Sequence, residues 1–223
     1  MASRLLAVAA VLAALSAPSE AADTYDELAV AFDQPDLTFP DQPRALAAGR
    51  ETMLFKPDGP GPFPALVILP VCFGHLNSKN TFDWAARAVA QGYAALVVDP
   101  LAPRGVDNNC LRPYAVPASR LLKDAFDAAE HLRRQPFVDP ARIGILGFSQ
   151  GAMTGLAAAG ADHAREGGRA PFRAVVALYP VCFLAAYPLP GRPSPVDISR
   201  VPDQVVVPLL VRLATRTRKA ARR

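Results

Sequence analysis

Residues 143–151 read Ile143-Gly144-Ile145-Leu146-Gly147-Phe148-Ser149-Gln150-Gly151, followed by the small-residue run Ala152-Met153-Thr154-Gly155-Leu156-Ala157-Ala158-Ala159. An apolar strand, a G-x-S-x-G turn and a helix in that order form a nucleophile elbow, which holds a serine hydroxyl out on a sharp bend. The bend brings the strand and helix backbones together, so the positions two before and two after the serine have no room for a side chain. Gly147 and Gly151 meet that need and make Ser149 the candidate nucleophile. Such chains usually continue with an acid and then a histidine. Here no histidine follows His163 and no acidic residue follows Asp203.

Upstream of the elbow, Ala65-Leu66-Val67-Ile68-Leu69 and Tyr93-Ala94-Ala95-Leu96-Val97-Val98 are apolar at nearly every position. That pattern predicts parallel strands covered on both faces. Between them, Phe82, Ala85, Ala86 and Val89 recur at intervals of three and four, which predicts a helix from Asn80 or Thr81 through Gln91. Residues 118–134 form a second amphipathic helix, with Leu121, Leu122, Ala125, Phe126, Ala129 and Leu132 on one face. Further strands are expected at residues 50–56, 142–146, 172–178 and 205–211. Strands alternating with helices indicate one α/β domain, a mostly parallel sheet with helices on both faces. The loop from Leu101 to Pro117, which carries Arg104, Cys110 and Arg112, leaves a strand at its ligand-binding edge and is expected to overhang the pocket.

The two ends differ from this body. Met1-Ala2-Ser3-Arg4, the apolar stretch Leu5 to Ala17 and Ser19-Glu20-Ala21 read as a secretory signal peptide, residues 1–21, cleaved before Ala22. The apolar stretch is well short of the roughly 20 residues that span a bilayer. Export to the periplasm or the medium is expected, with no membrane attachment after cleavage. Residues 22–48, with Pro35, Pro40 and Pro43, form an irregular arm; the domain itself runs over 49–211. Residues 212–223 hold six basic residues and no acidic one, more than the whole net charge of +4. With no interleaved aromatic and no recognition motif, this tail does not argue for nucleic acid. The strand-like composition breaks between Val211 and Arg212, which reads as a truncation or a shifted reading frame.

The stretch from about Arg50 to Leu210 resembles the dienelactone hydrolase family of α/β-hydrolases. The resemblance rests on residues 67–74 (Val-Ile-Leu-Pro-Val-Cys-Phe-Gly), residues 92–100 (Gly-Tyr-Ala-Ala-Leu-Val-Val-Asp-Pro) and the segment Arg142 to Gly151. It implies the α/β-hydrolase fold, here lacking the C-terminal strand-helix segment that brings the acid and the base. It implies, too, hydrolysis of a small ester or lactone through an acyl-enzyme, with no cofactor. Ser149 matches the nucleophile, and the backbone N–H groups of Gln150 and Cys72 match the oxyanion donors. Without acid and base the chain is expected to turn over weakly or not at all. The rival expectation is a non-catalytic fragment or small-molecule binding protein.

His163 lies fourteen residues past Ser149, roughly 20 Å away if the elbow helix continues. His131, beside Arg133 and Arg134, reads as a solvated helix-end cation. His75 follows the oxyanion turn and is a substitute base, a substrate contact or a plain loop residue. Asp99 ends a strand at the ligand edge; Asp124 reads as a solvent-facing helix charge. Three cysteines allow at most one internal disulfide. Cys72 and Cys110 fall at the same sheet edge and can pair, which leaves Cys182. No Cys or His pair has metal-ligand spacing, so no metal is expected.

Overall fold

The computed structural model describes residues 34–46, 51–75, 79–112, 115–160, 172–180 and 208–212. In chain order these residues form β1 (Met53–Phe55), β2 (Phe63–Leu69), α1 (Lys79–Ala90), β3 (Ala94–Val97), a 3-10 turn (Ala102–Arg104), α2 (Ala118–Arg133), β4 (Val138–Phe148), α3 (Gln150–Ala159), β5 (Val175–Leu178) and β6 (Leu209–Arg212). The strands make one sheet in the order β1-β3-β2-β4-β5-β6. Only β1 runs antiparallel to its neighbour, pairing Met53 with Val97 and Phe55 with Ala95; every other pairing is parallel.

Strand order decides which helix covers which face. The chain steps in one direction from β2 to β3 and in the other from β3 to β4 and from β4 to β5. Right-handed crossovers therefore put α1 on one face and α2 and α3 on the other. The side chains record this alternation. Ala65, Val67 and Leu69 of β2 pack with Leu122, Phe126, Ala157 and Ala158 of α2 and α3. Ile68, between them in sequence, packs on Phe82, Ala85 and Ala88 of α1. Strands buried on both faces need an apolar residue at every position, which is why these segments read as continuous runs rather than alternating ones.

β4 is longer than the apolar run that signals it, because its first residues, Val138 to Arg142, are half-buried or exposed apart from Val138 and carry no hydrophobic pattern. The arm over residues 34–46 forms neither helix nor strand and lies along α2. Arg104 and Arg120 both donate to the Pro35 carbonyl, at 2.9 and 2.8 Å, and His131 Nε2 lies 3.0 Å from the Pro40 carbonyl. His131 is thus buried under the arm, not a solvated helix-end cation; the segment that covers it is remote in sequence. Asp124 corrects its reading as well. It is buried and takes the two-pronged guanidinium of Arg104 at 2.7 and 2.9 Å. Arg104 accordingly turns into α2 rather than over a pocket.

On the α1 face, the described residues leave a trough of about 620 Å³ between the flank of α1 and strands β4 to β6. Trp84, Leu146, Phe148, Val176, Leu178 and Leu210 line it. Leu210 and Val211 of β6 are 60% and 42% exposed at this end of the sheet.

Candidate active site

Ser149 stands between the end of β4 and the first turn of α3 with φ 49° and ψ −108°, a conformation that L-residues rarely adopt. Contacts that the bend forces explain why it persists. A Cβ on Gly147 would lie 2.2 Å from the Gly151 carbonyl oxygen, and one on Gly151 would lie 2.4 Å from that of Leu69. Both distances are closer than atoms can approach, so only glycine fits at either position. Ser149 N–H donates to Leu178 at 3.0 Å and its carbonyl accepts from Met153 N–H at 3.0 Å, which fixes the serine backbone from both sides. The residue is half-buried at the carboxyl edge of the sheet, outside the packed core.

Gln150 is the first residue of α3, where helix geometry leaves the N–H without an intrahelical acceptor. The second candidate donor, Cys72, lies in the turn that follows β2. That turn is tied to the elbow through Gly151 N–H, which donates to the Pro70 carbonyl at 3.0 Å. Cys72 and Cys110 form a disulfide, with their Cα atoms 5.0 Å apart. The pairing allowed by the sequence is therefore present, and the Leu101–Pro117 loop is fastened to the turn rather than hanging free above it. Ser149, Gln150 and Cys72 come together at one edge.

His75 is buried against the Phe82 ring, 5.2 Å between centroids. Burial pushes its imidazole below the ordinary 6.5, opposed by the Asp99 carboxylate and the Val98 backbone. Asp99 serves the backbone: its Oδ1 accepts from Leu101 and Ala102 N–H at 2.9 and 3.1 Å and so ends β3. Among the described residues, no histidine and no carboxylate is hydrogen-bonded to Ser149. His163 and Cys182 lie outside the described residues. Among the described residues, no three His, Cys, Asp or Glu side chains gather where they could hold a metal ion.

Two residues at this edge gave no usable signal in the sequence. Asn109 is fully buried; its Nδ2 donates to the Val116 carbonyl at 2.8 Å and its Oδ1 accepts from Val116 N–H at 3.0 Å. Its neighbour Asn108 has the same side chain and is half-buried, so composition cannot tell the one that is fully buried from the one that is not. Tyr179, at the end of β5, has φ 44° and packs on Phe148 with ring centroids 6.0 Å apart. Its hydroxyl accepts from Asn80 Nδ2 at 3.5 Å, and burial raises its pKa above 10.0. A left-handed tyrosine before a proline is a tertiary effect, and the dipeptide Tyr179-Pro180 does not announce it.

The family model that matches residues 51–216 is described as the dienelactone hydrolase family. Among solved structures, a candidate dienelactone hydrolase from Klebsiella pneumoniae is 21% identical with a TM-score of 0.51, over 69% of this chain and 62% of that one. Esterase 2 of Thermogutta terrifontis, in a form phosphorylated by paraoxon, is 17% identical with a TM-score of 0.51, over 72% of this chain and 63% of that one. A candidate dipeptidyl aminopeptidase IV from Bacteroides ovatus is 22% identical with a TM-score of 0.52, over 71% of this chain and 25% of that one. At these identities the likeness speaks for the α/β-hydrolase fold, and this chain spans under two thirds of each structure. No curated protein matches.

Proposed function

Because this chain belongs to the dienelactone hydrolase family, we propose that it is a hydrolase-type protein whose Ser149 attacks the carbonyl carbon of a small ester or lactone. In this reading the acyl C–O bond of the ester or lactone breaks as an acyl-enzyme forms on the Ser149 oxygen. The serine proton passes through water to the departing or ring-opened alkoxide, and water then hydrolyses the acyl-enzyme. The N–H groups of Gln150 and Cys72 would receive the developing oxyanion. Donors of this kind are effective because they are already oriented when charge develops, and losing one costs roughly 3 kcal/mol of barrier. The observation that carries the proposal is the Ser149 backbone, held in a left-handed bend that two glycines alone permit.

The residues after Asp203 offer neither an acid nor a histidine, and a triad lacking its base loses on the order of 10⁴-fold or more in kcat. Turnover by this chain should therefore be weak. Residues 1–21 would direct export, and the Cys72–Cys110 disulfide suits an oxidising compartment. Among the described residues, no helix is long and apolar enough to cross a membrane.

A fluorophosphonate probe on the purified protein tests the nucleophile. Labelling that disappears in Ser149→Ala is the expected result; equal labelling of the two proteins rejects it. The second reading, a binding protein without chemistry, is favoured by the want of any general base beside Ser149 among the described residues. It requires saturable binding of an ester with no Ser149-dependent product.

A further inference from the structure

An oxyanion donor on a turn is useful only if its peptide plane is fixed, and the structure shows what fixes that of Cys72. The only cis peptide among the described residues is Gly61-Pro62, so the Val71–Cys72 bond is trans. Across a trans peptide the carbonyl and the N–H point in opposite directions. The Val71 carbonyl is engaged inside the turn by Gly74 N–H at 3.0 Å, so Cys72 N–H is directed away from the turn.

Cys72 itself is held at two further points, both on the same neighbouring loop. Its carbonyl accepts from Asn109 N–H at 2.6 Å, and its sulfur is bonded to that of Cys110. Residues 109 and 110 can grip because their own loop is anchored. Asn109 is clamped to Val116 through both side-chain polar atoms. Leu101, Val106, Val116 and Leu121 close a small apolar cluster beneath it, and Arg104 pairs with Asp124 of α2.

We propose that Cys110 and Asn109 are positioning residues: through the disulfide and the Asn109–Cys72 hydrogen bond they hold the Cys72 N–H in register with the Gln150 N–H across the Ser149 oxygen. This rests on the functional reading above and deepens it. A cross-link closing 38 residues also stabilises the fold. What sets a positioning role apart is a loss in the acylation step at unchanged substrate affinity. Misplacing a preorganised group by about 1 Å costs up to about 100-fold in rate.

The experiment follows single-turnover acylation of the full chain by p-nitrophenyl acetate, comparing wild type with Cys110→Ser, Cys72→Ser and the double variant. All three keep the backbone N–H at position 72. The expected outcome is a roughly 10- to 100-fold lower acylation rate constant with the same apparent dissociation constant. The loss should be equal in the singles and the double, because the two sulfurs act as one unit. In Cys110→Ser the Cys72 amide resonance should broaden or exchange faster with solvent. If Cys110→Ser does not fold, folded wild-type protein is treated with a phosphine, which cuts the disulfide to two thiols, and is judged by the same rate. Ser149-dependent acylation that is unchanged after cutting the cross-link overturns the positioning role alone. Acylation of wild type no faster than of Ser149→Ala overturns the functional reading, and the positioning role with it.

Discussion

At the scale of single residues, the site depends on atoms that are absent. Gly147 leaves room for α3 to pass the end of β4, and Gly151 for α3 to pass the end of β2, at separations that one methyl group would close. The Gly151→Ala substitution should therefore destabilise the fold by about 3 kcal/mol or more, the range for overpacking combined with backbone strain. A shift of the urea midpoint measures it; a cost below 1 kcal/mol would mean the bend relaxes freely. His75 makes a different prediction. Its folded pKa lies below the unfolded value of 6.5, so its neutral form is favoured in the native state. Its contribution is present above pH 6.5 and is lost as pH falls through the folded value. Urea midpoints of wild type should fall between pH 7 and pH 5, and those of His75→Gln should fall less.

At the scale of elements, α2 draws support from chain outside itself. Its N-cap, Pro117, offers no side-chain hydrogen bond and its first turn has no acidic residue. The arm supplies Asp36, which accepts from Arg120 and Lys123 at 2.6 and 2.7 Å. Hydrogen bonds from Lys123 and then Arg120 hold the Asp36 pKa down at about 2, against an ordinary 3.8. A depressed carboxylate stabilises above 3.8 and loses that contribution as pH falls toward 2. Asp36 is 67% exposed, so screening leaves the Asp36→Asn cost at only about 0.5 kcal/mol at pH 7. The stability gap between the two proteins should close near pH 2. Arg104 is another matter. Its pair with Asp124 has both side chains 1% exposed, and Arg104→Ala would leave that buried carboxylate only the Arg120 Nε at 3.4 Å, at a cost of about 3 kcal/mol. Adding Asp124→Leu should recover most of that loss in denaturant melts.

At the scale of the whole molecule, the described residues cover the two faces of the sheet unequally. α2 and α3 pack across β2, β4 and β5, whereas α1 packs against β2 and β3 and borders the trough. Large apolar troughs on a protein surface bind apolar ligands or partners. Trp84, the single tryptophan of the chain, lines it, with Arg87 stacked on its ring at 5.4 Å. An anionic naphthalene dye should therefore bind with a blue shift and quench or sensitise Trp84 emission. Leu146→Asp should weaken that binding about tenfold or more, whereas Leu111→Asp, at a residue 82% exposed in the Leu101–Pro117 loop, should leave it unchanged. Dye titrations that do not distinguish the two variants would place the apolar surface elsewhere.

Much of this was legible in the chain itself. Continuous apolar runs located β2 and β3, three-four periodicity located α1 and α2, and the glycines around Ser149 located the elbow, since each is a short-range pattern tied to backbone geometry. The family likeness added the expectation that Gln150 and Cys72 serve as oxyanion donors. Other features needed the fold: the burial of Asp124 and His131, the part of Asn109 and the left-handed Tyr179. Each depends on a segment far away in sequence coming to lie against the residue, as the arm does over His131 and the Arg104 turn does over Asp124. Local composition carries no record of such meetings. Local sterics thus set the strands, the helices and the bend, while long-range packing decided which polar groups leave water and what they meet there.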